Sequence, residues 1–255
     1  MSIFERRRTS FDDVADLYDE VRPTYPVGVI DRVIQFARLQ DQSEILEIGC
    51  GTGQMTVPFA ERGYRILALE PAPALAAIAV RKCQGFPGVR VLTERFEDWA
   101  PSGRLFDLGL SAQAFHWIPP EIGCQKLAAV IRAQGAAALV WNKDISQGTP
   151  FWEATQPIYH EYFEDPSMRR SDDVSYRELL LATGAFADVQ EYREEWQQTY
   201  TAERYLRLLE THSDHRLLDP ARRKDFLEAV HRVIEAFGGS VTRRYRTVAF
   251  LAKRL

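Results

Sequence analysis

The chain has 255 residues, of which 45% are hydrophobic and 27% are charged, and its net charge at pH 7 is -4. This length and composition suit one large α/β domain, and the slightly acidic balance gives no sign of a basic nucleic-acid-binding surface. No apolar run approaches the roughly 18 residues of a membrane helix. Three cysteines without C-x-x-C spacing indicate neither a disulfide framework nor a zinc site. We therefore expect a cytoplasmic protein with no nucleic-acid or membrane partner.

Two helices are predicted before the first strand. Residues 11–24 form a short helix that breaks before Pro23, because proline disfavours the α conformation in the residue before it. Thr24 is placed to cap a second helix with Pro26 in its first turn. Apolar residues recur at helical spacing from Val27 to Ala37, so this second helix should pack against the rest of the chain.

From residue 44 onward, strand and helix patterns alternate. Strands are predicted at 44–48, 64–70, 88–93, 105–112 and 135–142, and helices at 53–62, 73–83 and 119–133. Alternation with short connections predicts a parallel sheet with helices on both faces. In such sheets, ligands bind beyond the carboxyl ends of the strands, near the point where the strand order reverses.

The pattern loosens after Lys143, where an aromatic-rich segment follows. We interpret its aromatic residues as core in preference to a pocket wall; they are Phe151, Trp152, Tyr159, Tyr162 and Phe163. Beyond it we predict a helix near 174–184, a strand at 186–198, helices at 201–211 and from Asp219 to Gly238-Gly239, and a final strand at 241–252. The prediction is a single domain over residues 1–255, with a cofactor-binding core at 11–145, insertion and cap elements at 146–240, and the final strand at 240–255.

The most informative stretch is the glycine loop Gly49-Cys50-Gly51-Thr52-Gly53. It follows the first strand and opens a helix, so bare backbone and free N–H groups can approach a ligand there. Its G-x-G-x-G order differs from the G-x-G-x-x-G dinucleotide fingerprint, and no P-loop lysine follows. Glu47, beside the loop, suits a positive amino group, and Glu70, at the end of the next strand, is placed to accept both ribose hydroxyls. Adenosine joined to an amino acid describes S-adenosylmethionine.

With these motifs, the chain resembles class I S-adenosylmethionine-dependent methyltransferases over residues 11–145. The segment Phe11–Pro26 and the run Ser111-Ala-Gln-Ala-Phe-His-Trp117 resemble a small-molecule subgroup that includes trans-aconitate methyltransferase-like proteins. Thr211-His-Ser213 and Gly238-Gly239 are similar to that subgroup as well. The resemblance implies a Rossmann-like methyltransferase fold: a seven-stranded, mostly parallel sheet with an antiparallel last strand, helices on both faces, and N-terminal and C-terminal helical elements that cap the site.

The resemblance also implies the cofactor contacts. The loop backbone and Glu47 would hold the methionine part, and Glu70 the ribose. Phe96 and Glu97 would frame the adenine. Arg22, with Tyr18, would reach the cofactor carboxylate, although helix packing and a surface ion pair are an alternative for both. The full set of implied cofactor-binding residues is Tyr18, Arg22, Glu47, Gly49, Gly51, Gly53, Glu70, Phe96, Glu97, Ser111 and Gln113.

Methyl transfer from a sulfonium needs an aligned nucleophile, exclusion of water and, for some acceptors, removal of a proton. His116, just past the fourth strand, is our candidate catalytic residue. It is either a base or a ring beneath the cofactor that donates a hydrogen bond. His212 and His215 lack a further metal-ligand cluster in the sequence, so no metal is predicted. Ser111-Ala-Gln-Ala differs from the Asn/Asp-Pro-Pro-aromatic motif of enzymes that methylate DNA bases, which argues against a nucleic-acid acceptor.

The predicted function is S-adenosylmethionine-dependent methylation of a small organic acceptor at an oxygen, nitrogen or carboxyl group. We expect a monomer or homodimer. Two alternatives stay open at this point: an NAD-dependent oxidoreductase, which the glycine spacing disfavours, and a catalytically inactive cofactor-binding protein. The sequence does not identify the acceptor.

Overall fold

The structure is a computed structural model that describes residues 12–163 and 175–255. These residues divide into two compact units. The core unit comprises residues 24–142, 175–194 and 247–255, and the aromatic unit comprises residues 12–23, 143–163 and 195–246. Phe11, the first residue of the predicted N-terminal helix, lies outside the described residues. The single-domain organisation stays a prediction.

A seven-stranded sheet has the strand order β3-β2-β1-β4-β5-β7-β6. The strands are β1 Glu44–Ile48, β2 Arg65–Leu69, β3 Val89–Leu92, β4 Phe106–Ala112, β5 Ile131–Asp144, β6 Phe186–Thr201 and β7 Ser240–Arg254. Strand β1 pairs in parallel with β2 and β4, β2 with β3, and β4 with β5; the last strands are antiparallel. The predicted mostly parallel sheet is confirmed. Its strand order reverses between β1 and β4, so their carboxyl ends mark the expected ligand site.

Nine α-helices are described in residues 12–163 and 175–255. They are α1 Ala15–Val21, α2 Val27–Ala37, α3 Thr56–Ala60, α4 Pro73–Lys82, α5 Pro120–Val130, α6 Pro150–Tyr162, α7 Tyr176–Ala182, α8 Ala202–Glu210 and α9 Pro220–Ala236. A 3-10 turn, Phe115–Trp117, follows β4. Among these described helices, none has an apolar stretch of the length that crossing a bilayer requires.

Strand side chains in the core unit alternate between two apolar clusters. Ile45 of β1 packs in the cluster that contains Phe59 of α3, whereas the next residue, Leu46, packs in the cluster that contains Leu127 of α5. Successive side chains of a strand point to opposite faces of a sheet, so these are the two faces. Helices cover both of them, as predicted.

Some predicted boundaries were wrong. Helix α3 has five residues instead of spanning 53–62, because Gly53 adopts φ +89 and cannot be helical. Helix α2 begins after Pro26 without a side-chain cap, so the predicted Thr24 cap is incorrect. The helix predicted to reach residue 133 ends at Val130, and β5 begins directly after it. The pairing of β4 with β5 shifts register between Phe106 and Leu108, which accommodates this early start.

The aromatic unit has its own core around Phe226 of α9, whose side chain is fully buried. The ring centroids of four neighbours lie between 4.9 and 5.6 Å from it; these are Tyr159, Tyr162, Phe163 and His215. Aromatic pairs in this range and at these steep angles are favourable. The interpretation of the aromatic segment as core is therefore correct for Tyr159, Tyr162 and Phe163.

Candidate functional site

The glycine loop follows β1 and is anchored to the end of β2. The N–H of Gly49 donates to the carbonyl of Leu69 at 2.8 Å. The three loop glycines, Gly49, Gly51 and Gly53, have positive φ values of +70, +59 and +89. Residues that carry a side chain rarely adopt this backbone conformation. A Cβ atom on Gly49 would lie only 2.3 Å from the Cβ atom of Ala114. The loop after β1 thus packs closely against the segment after β4, as a site at the strand-order reversal requires.

Glu70 fixes the shape of this loop. One carboxylate oxygen, Oε2, accepts the N–H of Gly51 at 2.8 Å, and the other, Oε1, accepts the N–H of Ala72 at 2.9 Å. The residue is buried. A carboxylate oxygen has two lone pairs, so these bonds are compatible with the predicted role of Glu70 toward ribose hydroxyls. The sequence did not indicate that Glu70 also accepts a hydrogen bond from the loop backbone.

Glu47 carries a buried carboxyl group at the same strand ends. Burial raises its pKa to about 8, and the charge of Glu70 adds to the shift while Thr56 opposes it. Among the described residues, Oε2 of Glu47 has no hydrogen-bond partner. Buried polar atoms without partners are uncommon in folded proteins. The site therefore fits a ligand that brings a positively charged hydrogen-bond donor to Glu47.

Ser111 and Gln113 lie at the end of β4, beside β1. The hydroxyl of Ser111 is buried and donates to the carbonyl of Ile48 at 2.8 Å. Gln113 has φ +58, and its backbone N–H donates to Val140 while its side-chain amide donates to Asn142. Both residues thus join adjacent strand ends, which places them at the predicted edge of the site.

Phe96 and Glu97 lie in the segment after β3, and Lys126 of α5 holds them. The ammonium of Lys126 donates to the carbonyl of Glu97 at 2.9 Å and to that of Trp99 at 2.5 Å. It also lies 5.3 Å from the ring centroid of Phe96, which is buried. Sequence reasoning missed Lys126. In the sequence, Lys126 stands out only as the single lysine of a mainly apolar helix. In the folded protein, burial lowers its pKa.

His116 is bonded to Trp141, a contact that the sequence did not predict. The indole N–H of Trp141, near the end of β5, donates to Nδ1 of His116 at 3.1 Å. Trp141 is itself buried and stacks on Tyr176, with ring centroids 4.2 Å apart and an interplanar angle of 24°. The sequence places His116 and Trp141 at adjacent strand ends, but only the fold shows that they are partners.

The family model described as methyltransferase domain matches residues 45–135. That stretch contains the glycine loop, Glu47, Glu70 and His116. Because of this match, we refer to residues 45–135 as the methyltransferase domain. An uncharacterised methyltransferase of Mycobacterium tuberculosis is 31% identical over 133 residues, which cover 52% of this chain and 52% of that protein. The chain thus spans about half the length of the mycobacterial methyltransferases that it matches.

Two further proteins match beyond the methyltransferase domain. The malonyl-acyl-carrier-protein O-methyltransferase of Paenibacillus sp. is 26% identical over 237 residues, covering 86% of this chain and 85% of that protein. A phosphoethanolamine N-methyltransferase 2 of Haemonchus contortus, solved with phosphomonomethylethanolamine and S-adenosylhomocysteine, has a TM-score of 0.61 at 13% identity. This match covers 100% of this chain and 60% of that one. Likeness at this identity shows a shared fold.

Tyr18 and Arg22 precede the methyltransferase domain and belong to the aromatic unit. Arg22 donates from Nε to the hydroxyl of Thr211 at 2.8 Å and from its terminal nitrogen to the Thr211 carbonyl at 2.6 Å. Its guanidinium also lies 4.9 Å from the ring centroid of Tyr18. Among the described residues Arg22 makes no ion pair with a carboxylate, so the surface ion pair considered for it is not formed there. Its contact with a cofactor carboxylate stays a prediction.

A group of three potential metal ligands, His212, Asp214 and His215, also lies outside the methyltransferase domain. Their ligand atoms are all within 4.8 Å of one another, whereas the sequence analysis expected no such cluster. Nδ1 of His215 is bonded to the carbonyl of Leu209 at 2.9 Å. Burial lowers the pKa of both histidines, and the charge of Arg22 contributes to both shifts. The same positive charge would oppose a bound cation, so this cluster does not add to the candidate site.

Proposed function

We propose that this chain transfers a methyl group from S-adenosylmethionine to a small organic acceptor. The observation that carries the proposal is the buried carboxyl of Glu47, with an unpartnered oxygen, beside a glycine loop braced by Glu70. A positively charged donor satisfies Glu47 and favours the ionised form of its carboxyl, an interaction that the two phosphates of a dinucleotide cannot supply. When bound, S-adenosylmethionine supplies a methyl group on a positively charged sulfur, open to in-line displacement.

The methionine part of the cofactor lies along the loop after β1. Glu47 binds its ammonium, and the backbone of the loop glycines Gly49, Gly51 and Gly53 approaches it where a Cβ would obstruct the ligand. Ser111 and Gln113 close this side of the site. The support for this placement is that all six residues lie at the carboxyl ends of β1 and β4.

The adenosine part lies toward β2 and β3. Glu70 accepts hydrogen bonds from the ribose hydroxyls, and Phe96 and Glu97 frame the adenine. Lys126 holds the backbone of this segment in place, because its ammonium donates a hydrogen bond to the carbonyl of Glu97. The contact of Tyr18 and Arg22 with the cofactor carboxylate is retained as a proposal from the family resemblance.

The acceptor in this proposal is a small molecule that reacts through an oxygen nucleophile. The match to an O-methyltransferase over 86% of the chain supports an oxygen, as does the resemblance to the trans-aconitate methyltransferase-like subgroup. The protein must then align that oxygen with the methyl carbon and exclude water. A carboxylate oxygen would need no proton removed at neutral pH.

A labelled-methyl screen tests the proposal. The full chain is incubated with methyl-labelled S-adenosylmethionine and panels of carboxylic acids, phenols and amines, and products are separated by chromatography. We expect labelled product from the acids or phenols, and none with Glu70→Ala. Labelled amines alone would contradict the oxygen acceptor, and no labelled product from any panel would contradict the enzyme and favour an inactive cofactor-binding protein.

A further inference from the structure

His116 has a defined protonation pattern because of its partner. A neutral imidazole has one nitrogen that donates and one that accepts, and an indole N–H can only donate. The Nε1 of Trp141 lies 3.1 Å from Nδ1 of His116, so Nδ1 is the accepting nitrogen. The proton of the neutral ring is therefore on Nε2.

The Trp141 indole is held so that this pattern persists. Its ring stacks on Tyr176 at 4.2 Å and meets Phe250 edge-on at 6.0 Å. Tyr176 also contacts Phe115, the residue before His116, edge-on at 6.2 Å, and Phe115 is buried. One tyrosine therefore supports both the indole that donates and the 3-10 turn that carries the imidazole.

We propose that Trp141 is a positioning residue that keeps His116 a neutral hydrogen-bond donor through Nε2, and that His116 is not a general base. A base needs a free lone pair, and the only lone pair of this ring is bonded to the buried indole. His116 would have to lose the Trp141 bond before Nδ1 could take a proton. This inference rests on the proposed function, because it concerns how the same site treats the acceptor.

A His116 that can only donate limits the chemistry of the acceptor. Its nucleophilic atom reaches the site already without the proton that methylation displaces, or it loses that proton to a group other than His116. Through Nε2 the neutral ring can only donate a hydrogen bond, so it can orient an electron-rich atom but cannot remove a proton. The imidazole neither gains nor loses a proton during the transfer.

Nitrogen-15 NMR tests the protonation pattern in the full chain before any cofactor is added. The protein has five histidines, and comparison with His116→Ala assigns the relevant resonance. At pH 7 we expect a proton on Nε2 and none on Nδ1, and in Trp141→Phe we expect this single pattern to be lost. A proton on Nδ1, or a doubly protonated ring at pH 7, would overturn the proposal.

Turnover supplies a second test that does not depend on Trp141→Phe folding well. His116→Gln keeps an N–H donor and removes the basic nitrogen, whereas His116→Ala removes both. We expect His116→Gln to retain roughly tenfold more turnover than His116→Ala, with a pH profile of unchanged shape. If both variants bind S-adenosylhomocysteine and both lose turnover to the same extent, His116 is not a donor. Failure of the proposed function would appear differently, as no turnover in the wild-type protein, and it would leave the NMR result for His116 unchanged.

Discussion

Glu70 at the end of β2 accepts the backbone N–H of Gly51, 19 residues earlier in the chain, at 2.8 Å. Its second oxygen accepts the N–H of Ala72. A single buried carboxylate therefore sets the conformation of the loop after β1 and of the turn after β2. The residue assigned to the ribose in the proposed function is also the residue that shapes the loop for the methionine part.

Glu70→Gln keeps the size of this side chain and replaces one accepting oxygen with an NH2 group that faces a backbone N–H. We expect the affinity for S-adenosylhomocysteine to fall at least tenfold, and the free energy of unfolding to fall by about 1–3 kcal/mol because a buried donor loses its partner. Isothermal titration and urea unfolding measure the two effects. Glu61→Gln, at an exposed position, is the matched control and should change neither. Affinity equal to wild type in Glu70→Gln would refute the assigned role.

Gly49→Ala tests the close packing of the loop. The added Cβ would lie 2.3 Å from Ala114, and the residue has φ +70. Gly63→Ala is the matched control, since Gly63 has φ +83 but nothing within 4 Å of an added Cβ. Both variants carry backbone strain, so we expect Gly49→Ala to be less stable than Gly63→Ala by about 1–3 kcal/mol. Cofactor affinity should be lost only in Gly49→Ala; equal behaviour of the two variants would count against this packing.

Glu47 predicts a pH dependence of stability. Its pKa is raised from 4.5 to about 8, chiefly by burial, so the folded protein binds a proton more tightly than the unfolded chain. This contribution to stability is fully present below pH 4.5 and is lost as the pH rises toward 8, and it amounts to at most ~5 kcal/mol. Urea unfolding between pH 5 and pH 8 should therefore show a decline in wild type that is weaker in Glu47→Gln. Parallel curves for the two proteins would contradict the raised pKa.

Phe226 tests whether the aromatic segment is core. Its side chain is fully buried among four aromatic rings, whereas that of Phe237, in the same unit, is 43% exposed. We expect Phe226→Ala to lower the free energy of unfolding by about 3–5 kcal/mol and Phe237→Ala to lower it by less than half as much. Thermal and urea unfolding compare the two. Similar losses in both variants would show that Phe226 is not the centre of this core.

Much of the sheet was predictable because its signals are local. Ile45, Leu46 and Ile48 make β1 apolar apart from Glu47, and glycines at 49, 51 and 53 mark its end. The early start of β5 at Ile131 was not predictable, since the apolar residues there suit a helix as well as a strand. Only the pairing with β4, and its shift of register, decides between them.

The candidate site was predictable where position along the chain was sufficient. Glu47 and Glu70 end adjacent strands, and the ends of parallel strands meet at one edge of a sheet. Partners between distant side chains were not predictable: Trp141 donates to His116, 25 residues away, and Arg22 donates to Thr211, 189 residues away. Such contacts depend on tertiary packing, which local sequence patterns do not predict.

Isothermal titration of the full chain with S-adenosylhomocysteine, with a parallel titration of NADH, tests the central claim most directly. The proposed function predicts saturable binding of S-adenosylhomocysteine at one site, with a dissociation constant of roughly micromolar size, and no heat of binding from NADH. Saturable binding of NADH with no response to S-adenosylhomocysteine would contradict it.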